Sequence, residues 1–187
     1  NTYAFAFGSA GAGAANLAYI KSTANTLGTS LLSTADAYGK LAAASVGTNL
    51  EGTKTRAIFE SISKAATVVN LSSEETRGAL LAVQQMMSKG TIQAEELRGQ
   101  LGERLPGAFQ IAARAMGVST AELGKMLEQG KILSDDFLPR FAAELEKTFG
   151  ASAERAANSF QAQINRMENA WESFKMALAA PAAGESG

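Results

Sequence analysis

The sequence predicts an all-α fold: a multi-helix domain with two related helical hairpins, flanked by longer N- and C-terminal helices. Three observations carry this. Apolar residues recur every three or four positions along most of the 187 residues, the spacing that lines one face of a helix. Ser/Thr-x-x-Glu boxes, which satisfy the free amides of a first helical turn, punctuate the chain. Ala-rich stretches recur, β-branched runs are scarce and only three prolines are present. With 46% hydrophobic residues and nine Phe, the chain has enough apolar side chains to bury a core.

From the N-terminus, Leu17, Ile20, Ala24, Leu27 and Leu31 follow helical steps, interrupted by Gly28, where a break is expected. The helix resumes through Tyr38, Leu41 and Ser45 and stops at Gly47. Three boxes follow: Thr48…Glu51, Ser72…Glu75 and Ser119…Glu122. In each, the hydroxyl accepts a first-turn amide hydrogen and the Glu reaches back to the cap, so each predicts a helix start. Val118 and Leu123 frame the third as a hydrophobic staple. A helix over about Glu51–Val69 aligns Ile58, Ile62, Ala65 and Val69. The next, about Ser73–Lys89, aligns Leu80, Val83, Met86 and Met87 and closes at Gly90.

An internal repeat comes next. MMSKGTIQAEEL (Met86–Leu97) and MLEQGKILSDDF (Met126–Phe137) align without a gap. In each, a helix stops at Gly90 or Gly130 and Ile92 or Ile132 plugs into the core. A new helix then opens at an acid pair, Glu95/Glu96 or Asp135/Asp136, whose charge suits the positive end of the helix dipole. Two copies argue for two similar hairpins packed together, not for a solenoid. Gly102 ends a short helix, and Pro106 suits the first turn of another, lined by Phe109, Ala112, Ala113 and Met116 until Gly117. Beyond the second copy, Phe137, Phe141, Leu145 and Phe149 recur at every fourth position, and Pro139 lies in that helix's first turn or bends it.

The last segment is the most regular. Ala153, Ala157, Phe160, Ile164, Met167, Trp171, Phe174 and Leu178 alternate steps of four and three, an a/d seam over roughly three and a half heptads. Two readings stand: one long helix lying along its own domain, or a helix-pairing seam through Phe160, Ile164, Met167, Trp171, Phe174 and Leu178 that joins copies or continues into a rod. The chain thus divides into an Ala/Gly-rich helical arm (1–47), a globular helical domain with the internal repeat (48–150), and a heptad-patterned helix with a disordered tail (151–187).

Composition narrows the chemistry. The chain has no Cys and no His, so zinc fingers, Cys or His nucleophilic dyads and histidine acid–base catalysis are impossible within it. A net charge of −1 with no basic block gives no nucleic-acid footprint. The acid pairs are explained by helix starts, and cell-wall hydrolysis would need two carboxylates across a cleft. The six Met fall mostly on apolar faces and read as core filling. Glu103 and Arg104 read as a local ion pair or cap contact, or else as part of a docking loop. Gly11 and Gly13 form no phosphate loop. No catalytic, cofactor or metal site is expected, and the chain is read as a non-enzyme. Residues 1–20 are uncharged but too weakly apolar for a confident membrane helix. The start at Asn1 without Met and the PAAGESG ending read as a piece of a longer chain.

The run GTIQAEELRGQLGERLPGAFQIAARAMGVSTAELGKMLEQGKILSDDFLP, Gly90 to Pro139, resembles the N-terminal domain of phage and prophage tail tape measure proteins. EELRGQLGERLPGA (Glu95–Ala108) and ARAMGVSTAELGKMLEQG (Ala113–Gly130) carry the likeness most strongly. The flanking AYGKLAAASVGTNLEGTKTRAIFESI and NSFQAQINRMENAWESF extend it over most of Ala37–Phe174. The resemblance implies a structural ruler that occupies the tail-tube lumen during assembly in the host cytoplasm, sets tail length and leaves ahead of DNA on infection. It implies as partners other copies of the chain, tail tube and tail tip proteins and assembly chaperones, with no specific nucleic acid and any membrane role confined to the full-length protein. It supplies no residue-level site. Two alternatives from other classes are a cell-wall hydrolase module and a membrane-active segment.

Overall fold

The computed structural model describes residues 10–158 and 160–179, with side chains described over 15–158 and 163–177. Eight α-helices and one π-helical segment make up the described fold, which is all-α as expected. In order they are α1 (Ala10–Leu27), α2 (Leu31–Ser45), α3 (Thr53–Val68), α4 (Ser73–Lys89), the π-helical segment (Glu95–Leu101), α5 (Ala108–Met116), α6 (Thr120–Glu128), α7 (Ser134–Ala157) and α8 (Phe160–Ala179). The expected tail, PAAGESG at 181–187, lies outside the described residues.

The long helices α3 and α7 form the central pair, with α5 also against α7 and α2 against α4. Their apolar stripes meet in one core that holds Phe59, Ile62, Met86, Leu97, Phe137 and Phe141. The core continues across position 47, because Ile20 and Ala24 of α1 and Leu31, Tyr38 and Leu41 of α2 join the same cluster. Tyr19, Tyr38 and Phe59 form an aromatic run with centroid spacings of 5.1 and 5.2 Å. Burial, with the Glu60 carboxylate accepting its hydroxyl, pushes the Tyr19 phenol well above its ordinary range.

Most ends follow local chemistry. Ser72 and Glu75 form the complete reciprocal box at the start of α4, and Ser119 accepts the Glu122 amide at 3.1 Å to open α6. α1 stops at Gly28, as expected, in a Schellman arrangement: the Thr29 amide donates to Ala24 O and the Gly28 amide to Asn25 O. The same pair of bonds closes α3 with Asn70 in the left-handed position (φ 59), a stop without glycine.

Two expectations fail locally and a third is narrowed. Thr48…Glu51 is not a helix start: the Glu51 carboxylate takes the Gly47 amide, Gly52 adopts φ 81, and α3 begins only at Thr53. Pro106 sits before α5, which starts at Ala108 behind Gly107 (φ 80), so the turn rather than the first helical turn uses its fixed geometry. Of the two places expected for Pro139 the first turn is excluded, since it falls in the second turn of α7, inside a helix that continues to Ala157.

The repeat shapes one feature closely. Ile92 and Ile132 are both fully buried, as expected, and the two loops lie antiparallel with these equivalent residues opposite each other. The Ile92 amide donates to Ile132 O at 2.9 Å and the Ser134 amide to Gly90 O at 3.0 Å. The likeness ends with the loops, since a seven-residue π-helical segment follows the first and the 24-residue α7 the second. Gly102 ends the π-helical segment for a packing reason: a Cβ there would lie 2.3 Å from the Arg98 carbonyl oxygen.

Candidate functional site

No sequence motif nominates a chemical site. The C-terminal helix α8 departs most from the amphipathic rule. Successive residues of a helix turn by one part in about 3.6, so Asn165, Arg166 and Asn169 share one side and Met167, Trp171 and Phe174 lie on nearly the opposite side. The polar side faces the body of the protein. Asn165 Nδ2 donates to Gly28 O at 2.7 Å, and Arg166 Nε donates to Asn25 O at 2.9 Å. Asn169, only 6% exposed, accepts the Leu31 amide at 2.8 Å through Oδ1 and donates to Thr29 O at 2.9 Å through Nδ2.

These bonds close the corner between α1 and α2. Ser30 stands at the N-cap position of α2 yet makes no side-chain cap bond. Asn169, 138 residues later, supplies the acceptor instead.

The seam therefore points outward over its described part. Met167, Trp171 and Phe174 are 74%, 59% and 52% exposed, and the Trp171 and Phe174 rings stack with centroids 5.6 Å apart. Ile164 is half-buried. The side chains of Phe160 and Leu178, the two ends of the seam, lie outside the described residues, although their backbones belong to α8.

The acid pairs do not converge. Glu95 is exposed while Glu96 is almost fully buried, with one carboxylate oxygen on Lys89 Nζ and the other unpartnered. The Glu96 carboxylate raises the Lys89 ammonium above its ordinary value. In the second copy, Asp135 accepts from Asn49 Nδ2 at 3.0 Å and Asp136 pairs with Arg140 at 2.8 Å, both in exposed positions. Arg104 donates to Gln100 O at 2.6 Å and lies against Gly78, where a Cβ would come within 2.4 Å of its Nε. Of the six Met, Met86 and Met87 fill the core, but Met167 and Met176 are exposed.

A cleft of about 470 Å³ opens between the α1–α2 corner and the junction of α3 and α4. Its wall is rich in hydroxyls, among them Ser33, Ser63, Thr67 and Ser73, and its single lining carboxylate is Glu75. The Ser72 hydroxyl and amide hold that carboxyl below its ordinary value, with help from the Arg104 charge. Glu75 is thereby committed to the α4 cap. Among the described residues no cluster of three or more acidic side chains suits a metal ion, and no helix is long and apolar enough to cross a membrane.

Comparison with known proteins gives one consistent result. A family model described as tape measure protein matches residues 1–180. A probable tape measure protein of Salmonella phage Felix O1 (isolate Felix O1-VT1) is 36% identical over 85 residues, covering 42% of this chain and 11% of that protein. No solved structure matches the chain.

Proposed function

Because this chain belongs to the tape measure protein family, we infer that it is a folded module of the protein that sets tail length inside the tail tube and leaves the tube on infection. The family is one of structural phage-tail proteins, and the match over residues 1–180 carries the reading. The pattern of polar contacts supports it. Ser72 and Glu75 cap a helix, and Asn165, Arg166 and Asn169 fasten α8 to the α1–α2 corner. The chain spans about a ninth of the phage relative it matches, so length measurement is proposed for the whole protein, with this module as one folded part of it. Tail tube, tail tip and chaperone proteins are its proposed partners, and the tube lumen its proposed place.

The test is made in the phage or tail-like particle that carries the gene. In-frame excision of helical sequence outside this module shortens the tail by about 1.5 Å per residue removed, the rise of an α-helix. Tails of unchanged length in electron micrographs would overturn the ruler reading.

A further inference from the structure

We propose that two adjoining concavities beside α4 form one groove that binds an extended acidic peptide segment of a partner protein. Tail-length measurement neither requires this groove nor is tested by it.

The groove lies between α2 and α4. The cleft of about 470 Å³ at the α1–α2 corner meets a second of about 360 Å³ at Ala37, Arg77 and Leu80, which line both. Each volume falls within the roughly 300–1,000 Å³ of a ligand pocket. Along α4 the lining runs from Ser73 to Gln84, about 16 Å at the rise of an α-helix. That is the span of about five extended residues.

The two halves offer different bonds. In the first, the hydroxyls of Ser30, Ser33, Ser63 and Ser73 make no hydrogen bond to any described residue. Ser63 is only 4% exposed, yet its hydroxyl is not sealed in the core and opens to the cleft. A hydroxyl both donates and accepts, so a row of free ones suits the alternating N–H and C=O groups of a peptide backbone. In the second half, Lys40, Arg77 and Arg104 line the wall with a single carboxylate, Glu74. The neighbouring Glu75 is engaged in the α4 cap and Asp36 pairs with Lys40, which leaves two guanidinium groups against Glu74. Arg77 has no hydrogen bond or ion pair among the described residues. Arg104 is held in place, because its Nη1 donates to Gln100 O and the glycine at 78 leaves the room its guanidinium occupies. Guanidinium groups with unused N–H donors match carboxylates in geometry and charge, the mode in which Arg clusters read acidic motifs. A nucleic acid would need a ring on which its bases stack, and the aromatic residue in the lining, Phe59, is 1% exposed.

The test is an NMR titration of the full 187-residue chain with a capped pentapeptide alternating Glu and Gly. The amides of Ser33, Ser63, Ser73 and Gly78 are expected to shift together and to saturate at millimolar peptide. R77E, at an exposed residue without partners, should keep the helical circular dichroism and weaken binding by about tenfold or more, the loss of one charge-assisted hydrogen bond. R77Q repeats the comparison with the charge removed rather than reversed. K125E makes the same charge change on α6, outside the groove, and should bind as the wild type does. A wild type whose groove amides stay unmoved overturns the proposal. So does binding that R77E leaves intact, or that K125E weakens as much, since general charge attraction would then explain it. A Lys–Gly pentapeptide that shifts the same amides overturns the acidic preference. If inorganic phosphate and the peptide both move Gly78 while Ser33 and Ser63 stay still, the site is a small-anion pocket and the peptide reading falls.

Discussion

Replacing Asn169 by Ala should destabilise the protein more than replacing Ser30, the residue that stands at the N-cap of α2. Asn169 Oδ1 takes the Leu31 amide at 2.8 Å, and its Nδ2 donates to Thr29 O at 2.9 Å. Loss of an N-cap side chain costs about 1 kcal/mol. The Leu31 amide, with its partner removed in a buried setting, adds a desolvation penalty of about 1–3 kcal/mol. Because the two costs overlap on the same amide, N169A is expected to lose about 2 kcal/mol, or roughly 4–8 °C of Tm in a chain of this size. S30A removes a hydroxyl that caps nothing, so its cost should stay within about 0.5 kcal/mol. N169D keeps the acceptor for Leu31 but sets a carboxylate oxygen against Thr29 O, and should fall between wild type and N169A. Urea unfolding measures all three, and hydrogen exchange of the Leu31 amide reports the cap directly. An S30A loss equal to or greater than that of N169A, or unchanged Leu31 protection in N169A, would refute the long-range cap.

Three further outcomes are expected. G130A, at φ 61 with open space around the added methyl, should cost about 1–2 kcal/mol of backbone strain in urea unfolding. G102A should cost more, because its Cβ has to displace the Arg98 carbonyl. K89A should lower the urea midpoint further than E96Q, since the first strands a buried carboxylate that already has one oxygen unpartnered and the second removes its charge. Thermal stability should be flat between about pH 5.5 and 8, where a chain without His has no side chain of ordinary pKa to titrate. It should then fall on acidification. Ser72 holds Glu75 down, and Arg114 with Lys147 holds Glu144 down. Carboxyls depressed in the folded state contribute stability above the unfolded value of about 4.3 and lose it as the pH drops through the folded value. A Tm that rises below pH 4 would contradict these assignments.

What could be read in advance was whatever the chain encodes locally. The Ser72–Glu75 box spans four residues, and Gly28 and Gly47 stop helices through their own backbone freedom, so each was visible without a fold. Thr48–Glu51 shows the limit of the same rule. Its spacing is correct, but the neighbouring glycines at 47 and 52 let the chain turn, and Glu51 found the Gly47 amide instead of the cap. Ile92 and Ile132 were legible as core residues because burial follows apolar type. Their pairing across the two loops was not, since an antiparallel bridge between residues some forty positions apart leaves no periodic trace. The π-helical segment was likewise read as an ordinary short helix. Asn169 was the hardest to see, because its partner lies 138 residues away and an Asn within a heptad helix looks like any solvated position.

The inverted seating of α8 follows from the same long-range polarity. Apolar burial alone would turn Trp171 and Phe174 toward the body, a gain of about 1.5–3 kcal/mol per large side chain if fully covered. That seating would break the bonds from Asn165, Arg166 and Asn169, each worth about 0.5–1.5 kcal/mol net while made. It would also strip partners from Gly28 O, Thr29 O and the Leu31 amide at a corner where Ser30 offers no substitute. Unmade bonds at a buried corner cost more than made ones return, so the polar face wins the inner position. The apolar face is left on the surface. On this account weakening the latch frees α8 to roll its aromatics onto the body, so N169A should lower acrylamide quenching of Trp171, the chain's one Trp, as well as stability. If N169A lowered stability while Trp171 stayed as accessible to quencher, the latch would serve only to close the corner, and the direction of the seam would have another cause.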